Sequence, residues 1–92
     1  MLPKNRPPTH PGEILRSEFL EERGLSQQAL ADRLGVPVQR INTLVNGKRG
    51  ITPETALLFA RFFETSPEFW MNLQAQYDLW HAQQEMDARR GR

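Results

Sequence analysis

Apolar residues recur at helical spacing along much of the chain, and the sharpest pattern lies near its middle. Two short apolar stripes there are separated by a turn that contains Gly35. Ser26 is suited to accept a backbone N–H before the first stripe, and Asn46-Gly47 tolerates left-handed backbone after the second. The pattern predicts two helices, joined as a helix-turn-helix over residues 26–47. The apolar positions of the two stripes are Leu30, Ala31, Leu34, Ile41, Leu44 and Val45.

The junction between these two helices carries its own signals. Gly35 follows the first helix, where a positive φ is often needed. Pro37 suits the first position of the second helix, because the N–H that it lacks would have no partner there. Ala31 is small enough to let the two helices cross closely. A plain helical hairpin with a polar surface is the alternative interpretation, but cap, turn and crossing residue together favour the helix-turn-helix.

Three further helices are predicted around this pair. The first begins at Pro11, the fourth at Pro53 and the fifth at Pro67, because each proline follows a residue that can cap a helix. The fourth helix is expected to close the core with Ala56, Leu57, Phe59, Ala60 and Phe63. The fold class is therefore all-α with five helices. The predicted division of the chain is a flexible arm at 1–8, the domain at 9–85 and a flexible tail at 86–92.

The fifth helix carries more aromatic surface than a small four-helix core requires. Trp70 is expected near the core, whereas a second stripe is left for contact with another molecule. We predict that this stripe lies in a dimer interface, and the alternative is that the helix folds back on its own domain. The stripe consists of Phe69, Leu73, Tyr77 and Trp80.

Charge is distributed unevenly along the chain. The net charge is only +1, yet residues 1–50 carry eight basic and five acidic side chains, and residues 51–92 carry four and six. The segment from Arg33 to Gly50 holds four basic residues and no acidic one. Such a surface favours phosphate binding. The outward positions of the second helix of the pair are short, polar or methyl-bearing, as a helix that reads a DNA groove requires. They are Val38, Gln39, Asn42, Thr43 and Asn46.

Several classes of protein are disfavoured. There is no cysteine, so disulfides and thiolate metal sites are excluded, and no apolar run approaches the length of a membrane span. The N-terminus has no apolar block of a secretory signal, so we expect a cytoplasmic protein. His10 and His81 are not paired in sequence with a nucleophile or a ligand cluster. We therefore predict neither enzymatic activity nor a cofactor.

Three segments of the chain resemble the HigA family of antitoxins, which belong to the phage-repressor-like (XRE) helix-turn-helix proteins. They are HPGEIL at 10–15, GLSQQALADRLGVPVQRINTLVNGKRGIT at 24–52 and TSPEFWMNLQAQYDL at 65–79. The resemblance implies a five-helix, phage-repressor-like dimer that binds a palindromic operator in double-stranded DNA and represses its own operon. It also implies that the protein binds and silences a HigB-like toxin, an mRNA-cleaving nuclease of RelE type.

The resemblance also implies roles for individual residues. Gln27 matches a position that holds a DNA phosphate. Positions that read bases correspond to Val38, Gln39 and Thr43. Contacts to the DNA backbone beyond the recognition helix correspond to Lys48 and Arg49. The complete set of expected DNA-binding residues is Gln27, Pro37, Val38, Gln39, Arg40, Asn42, Thr43, Asn46, Lys48 and Arg49.

Two other functions remain open from the sequence. One is a stand-alone transcriptional regulator of the same family without a toxin partner. The other is a protein-interaction module in which the fold is kept and DNA binding is weak, an idea that the low net charge favours slightly. The acid-free segment from Arg33 to Gly50 argues for DNA binding.

Overall fold

The computed structural model describes residues 7–90, and five helices account for most of them. The first, α1, is continuous but consists of three segments, Pro11–Ile14, Leu15–Leu20 and Glu21–Arg23. The others are α2 (Gln27–Leu34), α3 (Val38–Val45), α4 (Pro53–Phe63) and α5 (Pro67–Arg90). The described part of the chain contains no strand, so the predicted all-α, five-helix fold is confirmed.

The middle segment of α1 is a π-helix, which the sequence pattern did not reveal. The N–H of Glu21 donates to the carbonyl of Arg16, five residues earlier. This wider turn brings residues five apart onto one face. Leu15 and Leu20 are separated by that interval, and their exposed fractions are only 0% and 4%. The π segment thus lets α1 bury two leucines that a regular α-helix would direct apart.

The helix ends follow the predicted capping chemistry with one difference. The hydroxyl of Ser26 accepts the N–H of Ala29 at 3.0 Å, and Gly35 ends α2 with φ +73°. Thr52 caps α4 in the same way as Ser26 caps α2. Pro37, however, is the N-cap of α3 and not its first helical residue. Its extended ψ of 143° redirects the chain between the two helices.

A single core joins all five helices. Trp70 of α5 and Phe59 of α4 are fully buried at its centre, and their rings meet edge to face with centroids 5.0 Å apart. The indole N–H of Trp70 donates to the hydroxyl of Thr65 at 2.8 Å, so the buried ring leaves no polar group without a partner. Leu57 was expected to join this core, but it is 48% exposed because it lies on the outer face of α4.

Helix α5 continues further than the pattern predicted. It extends to Arg90, so residues 86–90 of the predicted flexible tail are helical, and residues 91–92 lie outside the described part. Residues 81–90 are all exposed. The predicted arm at 1–8 lies outside the described residues except for Pro7 and Pro8, which are not helical. No helix within residues 7–90 has both the length and the apolarity needed to cross a membrane.

His10 links the start of α1 to α5. Its Nδ1 accepts the N–H of Gly12 at 2.9 Å, and its ring meets the ring of Tyr77 edge to face at 4.8 Å. Burial lowers the pKa of His10 below its ordinary value of 6.5, and the carboxylates of Asp78 and Glu13 offset part of that effect. The folded protein therefore favours the neutral imidazole, which is also the form that can accept the Gly12 N–H.

We predict that His10 makes folding stability depend on pH. Above about pH 6.5 the ring is neutral in both states and its contribution is complete. As the pH falls from there through the lower pKa of the folded state, the unfolded chain takes up a proton that the folded protein resists, so stability declines. His10→Asn keeps a good N-cap but cannot titrate. Urea unfolding at pH 7.5 and 5.5 should show a larger loss of stability for the wild type than for the variant. An equal or larger loss in the variant would contradict this role.

Candidate nucleic-acid interface

Helix α3 is held in place at its C-terminal end by a close backbone contact. Gly12, in the first turn of α1, is buried against the main-chain carbonyl of Leu44. A Cβ at position 12 would overlap that carbonyl, so only glycine permits this approach. The side chain of Leu44 is itself buried in the core. The position of α3 relative to the rest of the domain is therefore set by main-chain packing.

Helices α2 and α3 cross over small and apolar side chains, as predicted. Ala31 of α2 is fully buried, and Ile41 of α3 is 2% exposed. On the outer side of the crossing, the amide of Asn42 donates to the side-chain oxygen of Gln27 at 3.2 Å. Asn46 in turn donates to Asn42 at 3.2 Å. The structure thus brings three of the predicted site residues into one hydrogen-bonded row across the two helices.

The remaining outward residues of α3 form the face that a groove would meet. Gln39 is exposed, and Val38 is 36% exposed at the start of the helix. Thr43 lies one turn after Gln39 and is half-buried, with its hydroxyl 3.0 Å from the carbonyl oxygen of Gln39. The same hydroxyl lies 3.2 Å from the carbonyl of Arg40. Because the hydroxyl proton is used within the helix, the methyl group of Thr43 is what the side chain has left for an apolar contact.

Arg40 differs from the expectation of a side chain free to contact DNA. Its Nη2 donates to Glu54 Oε1 at 2.7 Å and to Thr55 Oγ1 at 3.1 Å. Both acceptors lie in the first turn of α4. The sequence reasoning missed this pairing, because fourteen residues separate Arg40 from Glu54.

The loop after α3 carries two exposed cations and is anchored from behind. Lys48 and Arg49 are exposed, and Arg49 borders a surface depression beside α3. The N–H of Ile51 donates to the side-chain oxygen of Gln74 of α5 at 2.7 Å. Gly50 lies so close to Gln74 that a Cβ would come within 2.9 Å of it. Gln74 therefore fixes the end of the basic loop, a role that no local sequence signal indicated. The depression is lined by Pro37, Gln39, Arg40, Thr43 and Arg49.

The predicted dimer stripe on α5 is divided between two environments. Leu73 packs against the core, and Tyr77 is half-buried against His10. Phe69 is 37% exposed although its ring contacts Trp70, and Trp80 is half-buried. Part of the stripe thus folds back on its own domain, and its place in a dimer interface stays a prediction. Within residues 7–90 no cluster of histidines and carboxylates could hold a metal ion.

Comparisons with known proteins agree with this geometry. A family model described as helix-turn-helix matches residues 17–70. The antitoxin HigA-1 of Vibrio cholerae is 39% identical over 80 residues, which cover 87% of this chain and 75% of the relative. YbaQ of Escherichia coli, described as an uncharacterized HTH-type transcriptional regulator, is 41% identical over 86 residues, covering 94% of this chain and 76% of the relative. The structure of the Pseudomonas aeruginosa antitoxin HigA with the higBA promoter superposes with a TM-score of 0.86 at 45% identity, covering 89% of each chain.

The fold and the exposed face of α3 define a helix-turn-helix protein of the phage-repressor type. The chain belongs to the HigA family of antitoxins.

The free methyl group of Thr43 leads to a test of the expected base contact of this residue. Thr43→Val keeps a methyl and should leave operator affinity within about twofold. Thr43→Ser loses the methyl, and burial of one methyl is worth about 0.8 kcal/mol, so affinity should fall by about fourfold. Fluorescence anisotropy with operator DNA measures both variants, and random DNA of equal length is the control. A greater loss for Val than for Ser would assign the reading to the hydroxyl.

Proposed function

We propose that this protein is the antitoxin of a type II toxin–antitoxin system. As a dimer it binds an operator in its own promoter and represses the operon. It also binds and silences a HigB-like toxin that is encoded beside it, a RelE-type nuclease that cleaves mRNA. Its site of action is the cytoplasm, where the operon is transcribed. The observation that carries the proposal is the exposed polar face of α3 next to a cationic loop.

The exposed face of α3 has the dimensions and chemistry of a recognition helix. A major groove about 12 Å wide admits one α-helix, and base edges there present hydrogen-bonding groups and thymine methyls. Gln39 offers an amide that can pair with adenine, and Val38 and Thr43 offer methyl groups. Asn42 and Asn46 extend the polar row toward the end of the helix. These residues are the proposed base readers.

Phosphate contacts would supply most of the affinity and set the register on the DNA. Lys48 and Arg49 are exposed at one end of α3, and Gln27 lies at the other side of the crossing, at the start of α2. Phosphates flanking one groove are thus within the span of one domain. Pro37 caps α3, so its proposed role is in positioning the helix, whereas Arg40 is paired with Glu54 in the protein without DNA.

A dimer would place two copies of α3 in successive major grooves. Recognition helices of such dimers stand about 34 Å apart, one turn of the duplex, and therefore read a palindrome. We propose that the exposed Phe69 and the half-buried Trp80 of the α5 stripe contribute to this dimer. The exposed residues 81–90 extend that surface by nearly three turns of helix.

One of the comparisons supports a second candidate function. YbaQ, which aligns with 94% of this chain, is a transcriptional regulator by name. The alternative is therefore a stand-alone regulator of the same fold, with the same DNA interface and without a toxin partner. The two functions differ only in whether a second protein is bound.

We predict salt-sensitive and sequence-specific binding to the protein's own promoter. Arg49→Ala should weaken operator and random DNA alike and reduce the slope of log affinity against log salt by about 0.9, because one phosphate contact is lost. Gln39→Ala should cost roughly 1–3 kcal/mol on the operator and much less on random DNA. Titration by fluorescence anisotropy between 50 and 200 mM salt checks both. Equal losses on operator and random DNA for Gln39→Ala would contradict base reading.

Purification of the protein together with its bound partners distinguishes the two candidate functions. Tagged protein purified from its native cells should retain a small basic partner in stoichiometric yield. Expression of that partner without this protein should lead to cleavage of cellular mRNA. Elution of the protein alone, with promoter binding intact, would support the stand-alone regulator.

A further inference from the structure

We propose that Glu54 is a positioning residue that competes with DNA phosphates for Arg40, and so tunes the sequence-independent part of DNA affinity. The guanidinium of Arg40 would be shared between the protein's own carboxylate and the DNA backbone. Glu54 has this role only if the protein binds DNA as proposed above. The proposal adds to that function a residue outside the helix-turn-helix.

The geometry of the pair carries the first part of the argument. Arg40 Nη2 lies 2.7 Å from Glu54 Oε1 and 3.1 Å from the hydroxyl of Thr55. Thr55 is held in turn by Thr52, whose Oγ1 lies 3.1 Å from the Thr55 Oγ1. The guanidinium is thus paired with the capped first turn of α4.

The position of Arg40 relative to the proposed DNA face carries the second part. Its side chain borders the depression that Gln39, Thr43 and Arg49 also line. Gln39 and Thr43 are proposed base readers, and Arg49 is a proposed phosphate contact. Arg40 therefore stands at the edge of the surface that DNA would cover, and its guanidinium pairs with Glu54. Without Glu54 it would be a second free cation beside Arg49.

The exposure of the two side chains shows that a DNA phosphate can replace Glu54 as the partner of Arg40. The side chain of Glu54 is 73% exposed, whereas that of Arg40 is 25% exposed. An ion pair with one partner so accessible to water holds weakly, and a phosphate can displace the carboxylate. The carboxylate nonetheless affects the charge of the proposed DNA surface, because it is the first acidic group after the acid-free segment from Arg33 to Gly50.

Counterion balance gives the exchange a measurable signature. When a free arginine binds a phosphate, the condensed cation of that phosphate is released, and affinity falls as salt rises. When Arg40 leaves Glu54 for a phosphate, the exposed carboxylate attracts a cation in its place, so little net release occurs. Replacing Glu54 by glutamine removes that compensation. Binding should then become tighter at low salt and more sensitive to salt.

The chain itself offers a matched control for this experiment. Thr52-Pro53-Glu54 starts α4, and Ser66-Pro67-Glu68 starts α5 with the same order of cap, proline and acid. Glu68→Gln therefore makes the same chemical and charge change at the same helical position as Glu54→Gln. Within residues 7–90, Arg40 pairs with Glu54 and Thr55 and forms no hydrogen bond or ion pair with Glu68.

The test is the salt dependence of binding to random DNA and to the promoter for wild type, Glu54→Gln and Glu68→Gln, each also in an Arg40→Gln background. Glu54→Gln should bind random DNA roughly two- to fivefold more tightly at 50 mM salt, a modest gain because the exposed pair is weak. Its salt slope should steepen by up to about 0.9. Glu68→Gln should match the wild type, and the effect of Glu54→Gln should vanish when Arg40 is absent.

Three results would overturn the proposal. They are an unchanged slope for Glu54→Gln, an equal change for Glu68→Gln, and an effect of Glu54→Gln that persists in the Arg40→Gln background. The last would mean a through-space effect of charge. Thermal unfolding of each variant separates loss of folding from loss of binding, since a structural defect lowers affinity without steepening the slope. If the wild type shows no salt-dependent DNA binding, the proposed function itself fails.

Discussion

The contact between Gly12 and the carbonyl of Leu44 is the constraint on which the arrangement of the domain depends. It joins the first turn of α1 to the last turn of α3 at main-chain distance. His10, which caps α1, lies beside Gly47 just past the end of α3 and packs on Tyr77 of α5. One small region thereby relates three helices to one another. Because this contact fixes the C-terminal end of α3, it also determines which face of α3 points outward.

The basic residues of the domain are of two kinds, those exposed to solvent and those paired with a carboxylate of the protein. Lys48 and Arg49 are exposed on a loop, and Gln74 ties the end of that loop to α5. Arg40 lies within the same acid-free segment, yet its charge is satisfied by Glu54 of α4. Counting charges along the chain therefore overstates the free positive charge of the surface. A moderate number of phosphate contacts leaves more of the binding energy to base contacts, on which operator recognition depends.

Local chemistry explains which features were predictable from the sequence. Ser26, Gly35 and Thr52 act within a few residues of themselves, and the helix ends that they predict are where the structure has them. Apolar periodicity likewise predicted the burial of Ala31, and Trp70, which was expected near the core, is fully buried there. The family-specific segments added the identification that periodicity alone does not supply.

Features that depend on distant partners were not predictable in this way. The Arg40–Glu54 pair and the Ile51–Gln74 bond join residues 14 and 23 positions apart, so no local pattern contains them. Leu57 shows the same limit, because an apolar residue within a helix does not reveal which face the tertiary packing will cover. The extension of α5 to Arg90 was missed because its exposed turns have no apolar period.

The most direct measurement of the central claim is the behaviour of Gly12→Ala. In an ordinary helix, alanine is favoured over glycine by about 1 kcal/mol, whereas overpacking of a close contact costs about 1–3 kcal/mol. We predict a lower free energy of unfolding and weaker operator binding per folded molecule, because α3 must move away from α1. Glu22→Ala, at an exposed position of the same helix, should change neither. A Gly12→Ala protein that is as stable as the wild type and binds the operator equally well would contradict the account.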